Sequence, residues 1–527
     1  MERRQLTWPS FAGLWSRAVR DHAARPFLVF ETEEGDAVTW TYAEFDAVVD
    51  RTAAGLAARG VGRGDRVLLV LPNSVAFVAV WLACAVLGAT FSSSDPRARA
   101  PELAHQHERL RPRLVVCGTD QAPQVPGGAT DGRTVVVPSA ADATVGGLAR
   151  DGGSPAPAPS VTAEDVLSVL FTSGTTSAPK GVVVSQGVYA HTGQVMAEAA
   201  RLGPRSRFLV ALPLFHANAQ YYCFAAAIAV GASVALVPAF SATRYLSQLE
   251  RLEATHASLF AAPLRMVLAR GGDRPLRRPL EHLWFAQDLT ADEYDRVTRL
   301  VSCRPRQLYG MTETGPAVLS QPPEGAGPAG LGGVTPGCLV RLGDLASGAP
   351  LPLPAHGEIQ VGGLPGRTVF TGYLDDPSAS DGVVTAREAD GRIWFRTGDR
   401  ATVAADGTWS FSGRSSEQLK VAGENVSAVE IEQVIARHPG VFEVAVTARP
   451  DPLRTEVPVA HVVPAGVPGP DLAASVLAWC AENLSPAKRP HEVLLVEELP
   501  RTSVGKIRKF LLAAEGRPES GPQEARP

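Results

Sequence analysis

At 527 residues the chain exceeds the size at which one hydrophobic core keeps growing, so at least two structural domains are expected. An apolar fraction of 45% and a charged fraction of 20% exclude disorder as the main state, and a net charge of −4 leaves no basic excess for a nucleic-acid partner. The N-terminus MERRQLTWPS lacks a signal peptide's apolar run, and the longest apolar stretches, Val75–Ala89 and Phe224–Val237, fall short of the roughly 18–20 residues that span a bilayer. The cysteines at 84, 117, 223, 303, 338 and 480 form no CxxC pair, so a cytoplasmic setting without a disulfide or metal framework is expected.

In chain order, Thr41–Glu44 (TYAE) has the form of a capping box, opening a helix with Phe45, Val48, Val49, Ala53 and Leu56 on one face and a stop near Gly60. Val67–Leu71 is a short continuous apolar run, the pattern of a buried strand; Ser74 caps the next helix, Gly88 ends it, and Leu114–Cys117 is a further strand. This is the βαβ rhythm of a mostly parallel sheet. Residues 121–160, rich in Gly, Pro, Ala and Asp, predict a surface excursion, and 321–337 a second loop-rich stretch; Gly357–Val361 and Trp409–Ser412 then predict a β-rich subdomain. From Gly413 the character changes. Ser427–Glu430 (SAVE) has the form of another capping box, before a helix over Val429–Arg437, followed by strands at Glu443–Thr447 and Val457–Val463, a helix at Leu472–Asn483 and a strand at Glu492–Val496. The expected fold class is α/β: a large N-terminal domain of stacked βα sheets with a β-rich subdomain, then a small α+β C-terminal domain.

The strongest chemical signal is Leu170–Gly181, LFTSGTTSAPKG. An apolar strand, Val166–Phe171, runs into small hydroxylated residues and glycine, then Lys180 and a second apolar run, Val182–Val184. Backbone N–H groups, hydroxyls and one ammonium suit a polyphosphate. A Walker A loop needs GxxxxGK before Ser or Thr, and here Gly181 follows the lysine. Only five of the 50 basic residues are lysine, at 180, 420, 488, 506 and 509. Against that arginine background, a retained lysine marks a place where a compact ammonium is needed. Elsewhere, Tyr309 offers a flat ring for stacking, Glu313 a hard carboxylate oxygen, Thr312 a hydroxyl, Asp399 a carboxylate that accepts hydrogen bonds, and Arg414 a fork of donors.

Seven segments occur in a fixed order: LFTSGTTSAPKG, LPLFH at Leu212–His216, YGMTET at Tyr309–Thr314, RTGD at Arg396–Asp399, Gly413–Arg414, AGEN at Ala422–Asn425 and PRTSVGK at Pro500–Lys506. Together they resemble the superfamily of AMP-forming adenylating enzymes, which holds acyl-CoA synthetases, peptide-synthetase adenylation domains and luciferases. The resemblance spans nearly the whole chain. It implies an acid–CoA ligase that uses ATP, Mg2+ and coenzyme A on a carboxylic acid substrate. It implies a nucleotide site of Thr172, Ser173, Gly174, Thr175, Thr176, Lys180, Tyr309, Gly310, Thr312, Asp399 and Arg414, with Glu313 and Thr176 on the metal. The same resemblance implies that His216 stands beside the acyl group and that Lys506 is the catalytic lysine; the candidate acyl pocket is His216, Asn218, Tyr221, Tyr222, Trp284, Gln287 and Met311. It further implies an N-terminal adenylate-forming domain over 1–415 and a mobile C-terminal domain over 416–527 that pivots at Ser416, alternating Lys506 with a thiol tunnel of Lys420, Ala422, Gly423 and Glu424.

Three departures from the family pattern stand out: Ser177 where glycine is usual, Ser416 where Asp or Lys is usual, and FAQDLT at Phe285–Thr290 where a Gly-Gly-Ala-Pro-like loop is usual. That last segment, with Leu364–Gly366 and Lys420–Ser427, is similar to the crotonobetaine/carnitine–CoA ligase branch. The alternatives are an enzyme that mainly thioesterifies a supplied adenylate, one that loads a carrier protein in trans, and a non-catalytic nucleotide binder; a homodimer is a further candidate assembly. Lys180 and Lys506, both retained, favour full two-step chemistry, and Lys180, Glu313, Asp399 and Lys506 together argue against a non-catalytic binder.

Overall fold

The computed structural model describes residues 9–32, 34–127, 132–138, 145–149, 161–172, 180–414, 418–421, 424–451, 455–501, 507–509, 511 and 512. The TYAE box forms as read: Thr41 accepts from the Glu44 N–H, Glu44 accepts from the Thr41 N–H, and the helix runs Tyr42–Ala57. Ser74 likewise caps Val75–Leu87, and Gly88 ends it in the left-handed conformation at φ 69°. That helix has no polar face, and it is buried around its circumference except at Val86. Its Trp81 packs against Phe11, Phe91, Tyr189 and Phe224.

Among the described residues two sheets dominate. A nine-stranded sheet runs Gly333–Val334, Leu319–Ser320, Arg306–Tyr309, His282–Ala286, His256–Phe260, Arg207–Val210, Ser233–Leu236, Pro26–Glu31, Ala37–Thr41. Its central pairs are parallel. A seven-stranded sheet runs Gly372–Tyr373, Lys180–Ser185, Val166–Thr172, Thr90–Ser93, Arg66–Val70, Leu114–Gly118, Thr134–Val137. The last strand corrects the reading of 121–160 as a plain surface excursion: Thr134–Val137 adds in parallel to Leu114–Gly118. A run of three valines after a threonine is a sound strand former, but it is too short to stand out between loop-rich flanks.

Asn73 ties these layers together. Its side-chain amide donates to the Leu212 and Val237 carbonyls at 3.1 Å, and its oxygen accepts from the Leu214 N–H at 2.7 Å. The segment ahead of His216 is thereby fixed, helped by Ser93 Oγ on the Phe215 carbonyl and Gln220 on the Leu214 carbonyl. Asn73 is 3% exposed. Asn73→Ala removes all three bonds, and at ~1–3 kcal/mol for each buried polar group left unsatisfied we expect a loss of about 3 kcal/mol in unfolding free energy, measured by urea denaturation.

The chain divides into two units: residues 1–343, 347–350 and 360–397, and residues 344–346, 351–359 and 398–527. The division passes through the strand Ile393–Val403. In the smaller unit, Glu424–Ser427, Gln418–Val421, Thr455–Pro464 and Val441–Asp451 form an antiparallel sheet, to which Glu492–Leu495 adds in parallel. Helices Ala428–Ile435 and Leu472–Asn483 cover it with Ile431, Ile435, Val476 and Cys480. Ser427 caps the first helix, but the box read at SAVE is only half formed, because the Glu430 carboxylate pairs with Lys488 at 2.5 Å. Lys509 pairs with Glu432 at 2.8 Å, so two of the five lysines sit in ion pairs on this helix. The mixed α/β architecture, with a large unit of sheets and helices and a unit built on a small sheet, agrees with the expected fold class.

Candidate active site

Val166–Thr172 and Lys180–Ser185 pair antiparallel, and Thr172 stands opposite Lys180. Gly372–Tyr373 then adds to the second strand, with Tyr373 opposite Val182. This register brings the Lys180 ammonium to 4.9 Å from the centre of the Tyr373 ring. The Tyr373 hydroxyl donates to Glu313 Oε1 at 3.0 Å. Glu313 is 5% exposed, and its backbone carbonyl accepts from the Phe370 N–H at 2.9 Å. Burial, the charge of Glu313 and the hydrogen bond to it push the Tyr373 pKa far up, so the phenol stays a donor.

The strand Arg306–Tyr309 delivers the YGMTET segment, held by the Val318 N–H on the Tyr309 carbonyl. The Thr314 hydroxyl closes the turn: it accepts from the Met311 N–H at 3.1 Å and lies 2.8 Å from the Met311 carbonyl. Facing the segment is Ala219–Ala225, a buried π-helical stretch, a form often found at functional sites. It aims the Tyr221 hydroxyl at the Thr312 carbonyl, 3.5 Å away. The Tyr222 hydroxyl comes so close to Gly310 that an added Cβ would lie 2.7 Å from it, and 3.0 Å from Ala317 Cα. Gly310→Ala must therefore shift backbone, and we expect a loss of about 1–3 kcal/mol, the usual cost of overpacking, measured by thermal unfolding.

Of the other residues expected at an acyl pocket, Asn218 accepts from Ser258 Oγ at 3.1 Å, and Trp284 is fully buried with the Arg306 guanidinium 4.6 Å over its ring. Arg306 itself donates to the Gln321 and Ala199 carbonyls. His216 packs on Phe215 at 4.3 Å, and burial drives its pKa down to about 4. The FAQDLT departure becomes intelligible here. Gln287 turns at φ 73°, Asp288 accepts from the Gln307 side chain at 2.9 Å, and Thr290 caps Ala291–Val301 in a box with Glu293. A cavity of about 110 Å³ lies beside Thr314, lined by His191, Pro316, Val318, Cys338 and Leu364; its walls are distinct from the predicted acyl residues.

In the smaller unit, Asp399 stands opposite Arg414 on paired strands, and Arg414 Nε donates to Asp399 Oδ1 at 2.8 Å. Asp399 is 3% exposed. Lys420 and Glu424 have their backbones in the hairpin of Gln418–Val421 with Glu424–Ser427. Ser173, Gly174, Thr175, Thr176, Ser177, Ser416, Ala422, Gly423 and Lys506 lie outside the described residues, as do the side chains of Lys420 and Glu424. Arg501 pairs with Ile507 across a bridge and with Glu443 as an ion pair.

Mg2+ fits this set. Among the described residues no three His, Cys, Asp or Glu side chains gather as a metal-ligand group. Glu313 supplies one buried hard oxygen, matching an ion that takes one or two carboxylates and keeps phosphate oxygens and water for its remaining positions. Tyr373 and Asn73 were missed from sequence. Their signals are an aromatic after glycine in a two-residue strand and a polar residue before a helix cap, neither of which carries a period.

The architecture is that of the adenylating enzymes. The AMP-binding enzyme family model matches residues 15–374, and the model of the AMP-binding enzyme C-terminal domain matches 430–506. The chain belongs to the AMP-binding enzyme family. It is 29% identical over 520 residues to crotonobetaine/carnitine–CoA ligase of Salmonella choleraesuis, covering 96% of this chain and 98% of that protein. Among solved structures it is similar to ATP-bound MatB from Rhodopseudomonas palustris, at TM-score 0.81 and 27% identity over 96% of this chain and 98% of that one. The fold also matches the anthranilate CoA ligase AuaEII in complex with anthranoyl-AMP, at TM-score 0.86 and 23% identity over 98% and 99%.

Proposed function

We propose that this chain, an AMP-forming acid–CoA ligase, joins a carboxylic acid to coenzyme A in two steps driven by ATP. In the first, a carboxylate oxygen attacks the α-phosphorus, the new O–P bond makes the acyl-adenylate, and the broken P–O bond releases pyrophosphate. In the second, the thiolate sulfur of coenzyme A attacks the acyl carbon and AMP leaves. Thr172, Ser173, Gly174, Thr175, Thr176 and Lys180 hold the phosphates; Tyr309 and Gly310 bound the adenine; Thr312 reaches a phosphate; Asp399 and Arg414 hold the ribose. Glu313 and Thr176 would hold Mg2+, which would supply neutralising charge to the polyphosphate. Lys506 serves the first step and Lys420, Ala422, Gly423 and Glu424 the second, with Ser416 as the pivot between residues 1–415 and 416–527. His216, kept neutral by burial, orients the acyl carboxylate without adding a cation.

The observation that supports this most is the meeting of Lys180 and Glu313 on the two sides of Tyr373. An ammonium and a buried carboxylate so arranged suit a metal-bound polyphosphate. His216, Asn218, Tyr221, Tyr222, Trp284, Gln287 and Met311 favour an acid with an apolar body and a polar group. With Trp284 in that pocket, the Arg306 guanidinium over its ring would repel a permanent cation. We therefore place the substrate among acids without a quaternary ammonium. Six unpaired thiols fit a cytoplasmic setting, and no helix of the described residues is long and apolar enough to cross a membrane. The test is acid-dependent pyrophosphate release over a panel of carboxylic acids that includes carnitine, with products weighed after adding coenzyme A or a holo-carrier protein. Release with a subset of acids and acyl-CoA as product is expected. ATP binding with no release for any acid overturns the two-step reading, and acylation of the carrier alone reassigns the acceptor.

A further inference from the structure

Tyr373 sits between two groups that the proposed mechanism uses separately. Its ring faces the Lys180 ammonium, and its hydroxyl donates to Glu313 Oε1 at 3.0 Å. Its own position is over-determined. The Tyr373 N–H donates to Ser380 Oγ at 2.8 Å, the Leu374 N–H to the Gly181 carbonyl at 2.7 Å, and the Thr371 N–H to the Val183 carbonyl at 2.8 Å. Arg109 donates to the Leu374 carbonyl at 3.0 Å, and the Tyr373 ring packs on Phe370 at 5.3 Å. Phe370 also donates its N–H to the Glu313 carbonyl. One short segment thus holds the backbone and the side chain of Glu313 while presenting an aromatic face to Lys180.

We infer that Tyr373 is a positioning residue that couples the two phosphate-side charges: its hydroxyl aims the Glu313 carboxylate at the metal of bound nucleotide, and its ring steers the Lys180 ammonium toward the phosphates. This rests on the ligase reading above. A buried carboxylate without a donor could rotate, and a lysine without an aromatic face would lose the quadrupole that keeps its head group in one place. A neutral phenol performs both tasks without adding charge. Because the hydroxyl acts through Glu313 and the ring through Lys180, the two roles separate by substitution.

The experiment measures ATP binding to the full chain by calorimetry, without acid or coenzyme A, once in MgCl2 and once in EDTA. Tyr373→Phe keeps the ring and its packing on Phe370. It is expected to weaken ATP binding about tenfold in MgCl2, the scale of one hydrogen bond to a charged group, and to leave binding in EDTA unchanged. Tyr373→Leu is expected to weaken binding in both buffers. Glu313→Gln tests the same contact from its other end, and the double variant Glu313→Gln with Tyr373→Phe is expected to bind no worse than Glu313→Gln alone. Equal loss for Tyr373→Phe in MgCl2 and EDTA, no loss in either, or additive losses in the double variant would overturn the coupling. A parent chain that binds ATP in neither buffer overturns the ligase reading itself, which separates the two failures.

Discussion

Lys506→Ala is expected to slow acid-dependent pyrophosphate release by on the order of 10²–10³, the scale for losing one transition-state electrostatic contact, while thioester formation from a supplied acyl-adenylate stays near the parent rate. As the carboxylate oxygen attacks, negative charge shifts onto the bridging and equatorial oxygens around the α-phosphorus, and an ammonium placed there stabilises the transition state more than the ground state. The flanks of Lys506 explain why the loss should be chemical and not structural. Arg501 pairs with Glu443 and bridges to Ile507, the Arg508 N–H donates to the Pro500 carbonyl at 2.7 Å, and Ile507 packs against Ala445, Val463, Leu499 and Leu512. Lys509→Ala provides the control, since that ammonium is already committed to Glu432 in a largely buried pair; it is expected to leave pyrophosphate release within about twofold, a barrier change of less than ~0.5 kcal/mol. Parallel losses in both half-reactions for Lys506→Ala would remove the assignment.

What the sequence disclosed follows the physics of each signal. Caps and continuous apolar runs are local, so the helices Tyr42–Ala57 and Val75–Leu87 and the small sheet's strands Val441–Asp451, Thr455–Pro464 and Glu492–Leu495 could be read to within a few residues, whereas its hairpin of Gln418–Val421 with Glu424–Ser427 was not. The order of motifs is likewise one-dimensional, and it was enough to find the family. The rest depends on register. Tyr373 meets Glu313, 60 residues away, because a two-residue strand pairs with Lys180–Ser185. Asn73 reaches carbonyls 139 and 164 residues away because two sheets close on one helix cap. No periodicity records such meetings. The lysine bias is an intermediate case: it singled out five positions, but only geometry shows that Lys488 and Lys509 serve ion pairs in the fold.

Acid should destabilise the larger unit well before its carboxylates titrate. Burial drives His191, His216 and His256 down to about 4, and His282 well below the ordinary histidine range, with the Arg306, His256 and Arg201 charges adding to the effect. The neutral form is built into the packing. His256 stands 3.2 Å from the Ala200 carbonyl through Nε2 and 2.8 Å from Thr255 Oγ1 through Nδ1, an arrangement that suits a neutral imidazole donating at one nitrogen and accepting at the other. His282 lies beside it with ring centres 5.8 Å apart, so a proton on either would meet like charge. The sign follows from linkage: below pH 6.5 the unfolded chain binds protons that the folded chain refuses, so this stabilisation is complete above pH 6.5 and is lost as pH falls toward 4. Between pH 7 and 5 each of the three is expected to cost roughly 2 kcal/mol, or roughly 6 together, comparable with the whole stability of an ordinary domain. Urea unfolding at pH 7, 6 and 5 measures the slope, and His256→Gln should flatten it by one proton. Carboxylates held low by hydrogen bonds, such as Glu44 and Asp376, lose their contribution only further down the scale, so they cannot produce a fall in this window. Equal unfolding free energies at pH 7 and 5 would mean that these imidazoles reach water in the folded chain. The neutral His216 proposed beside the acyl carboxylate would then have to be redrawn as a cation.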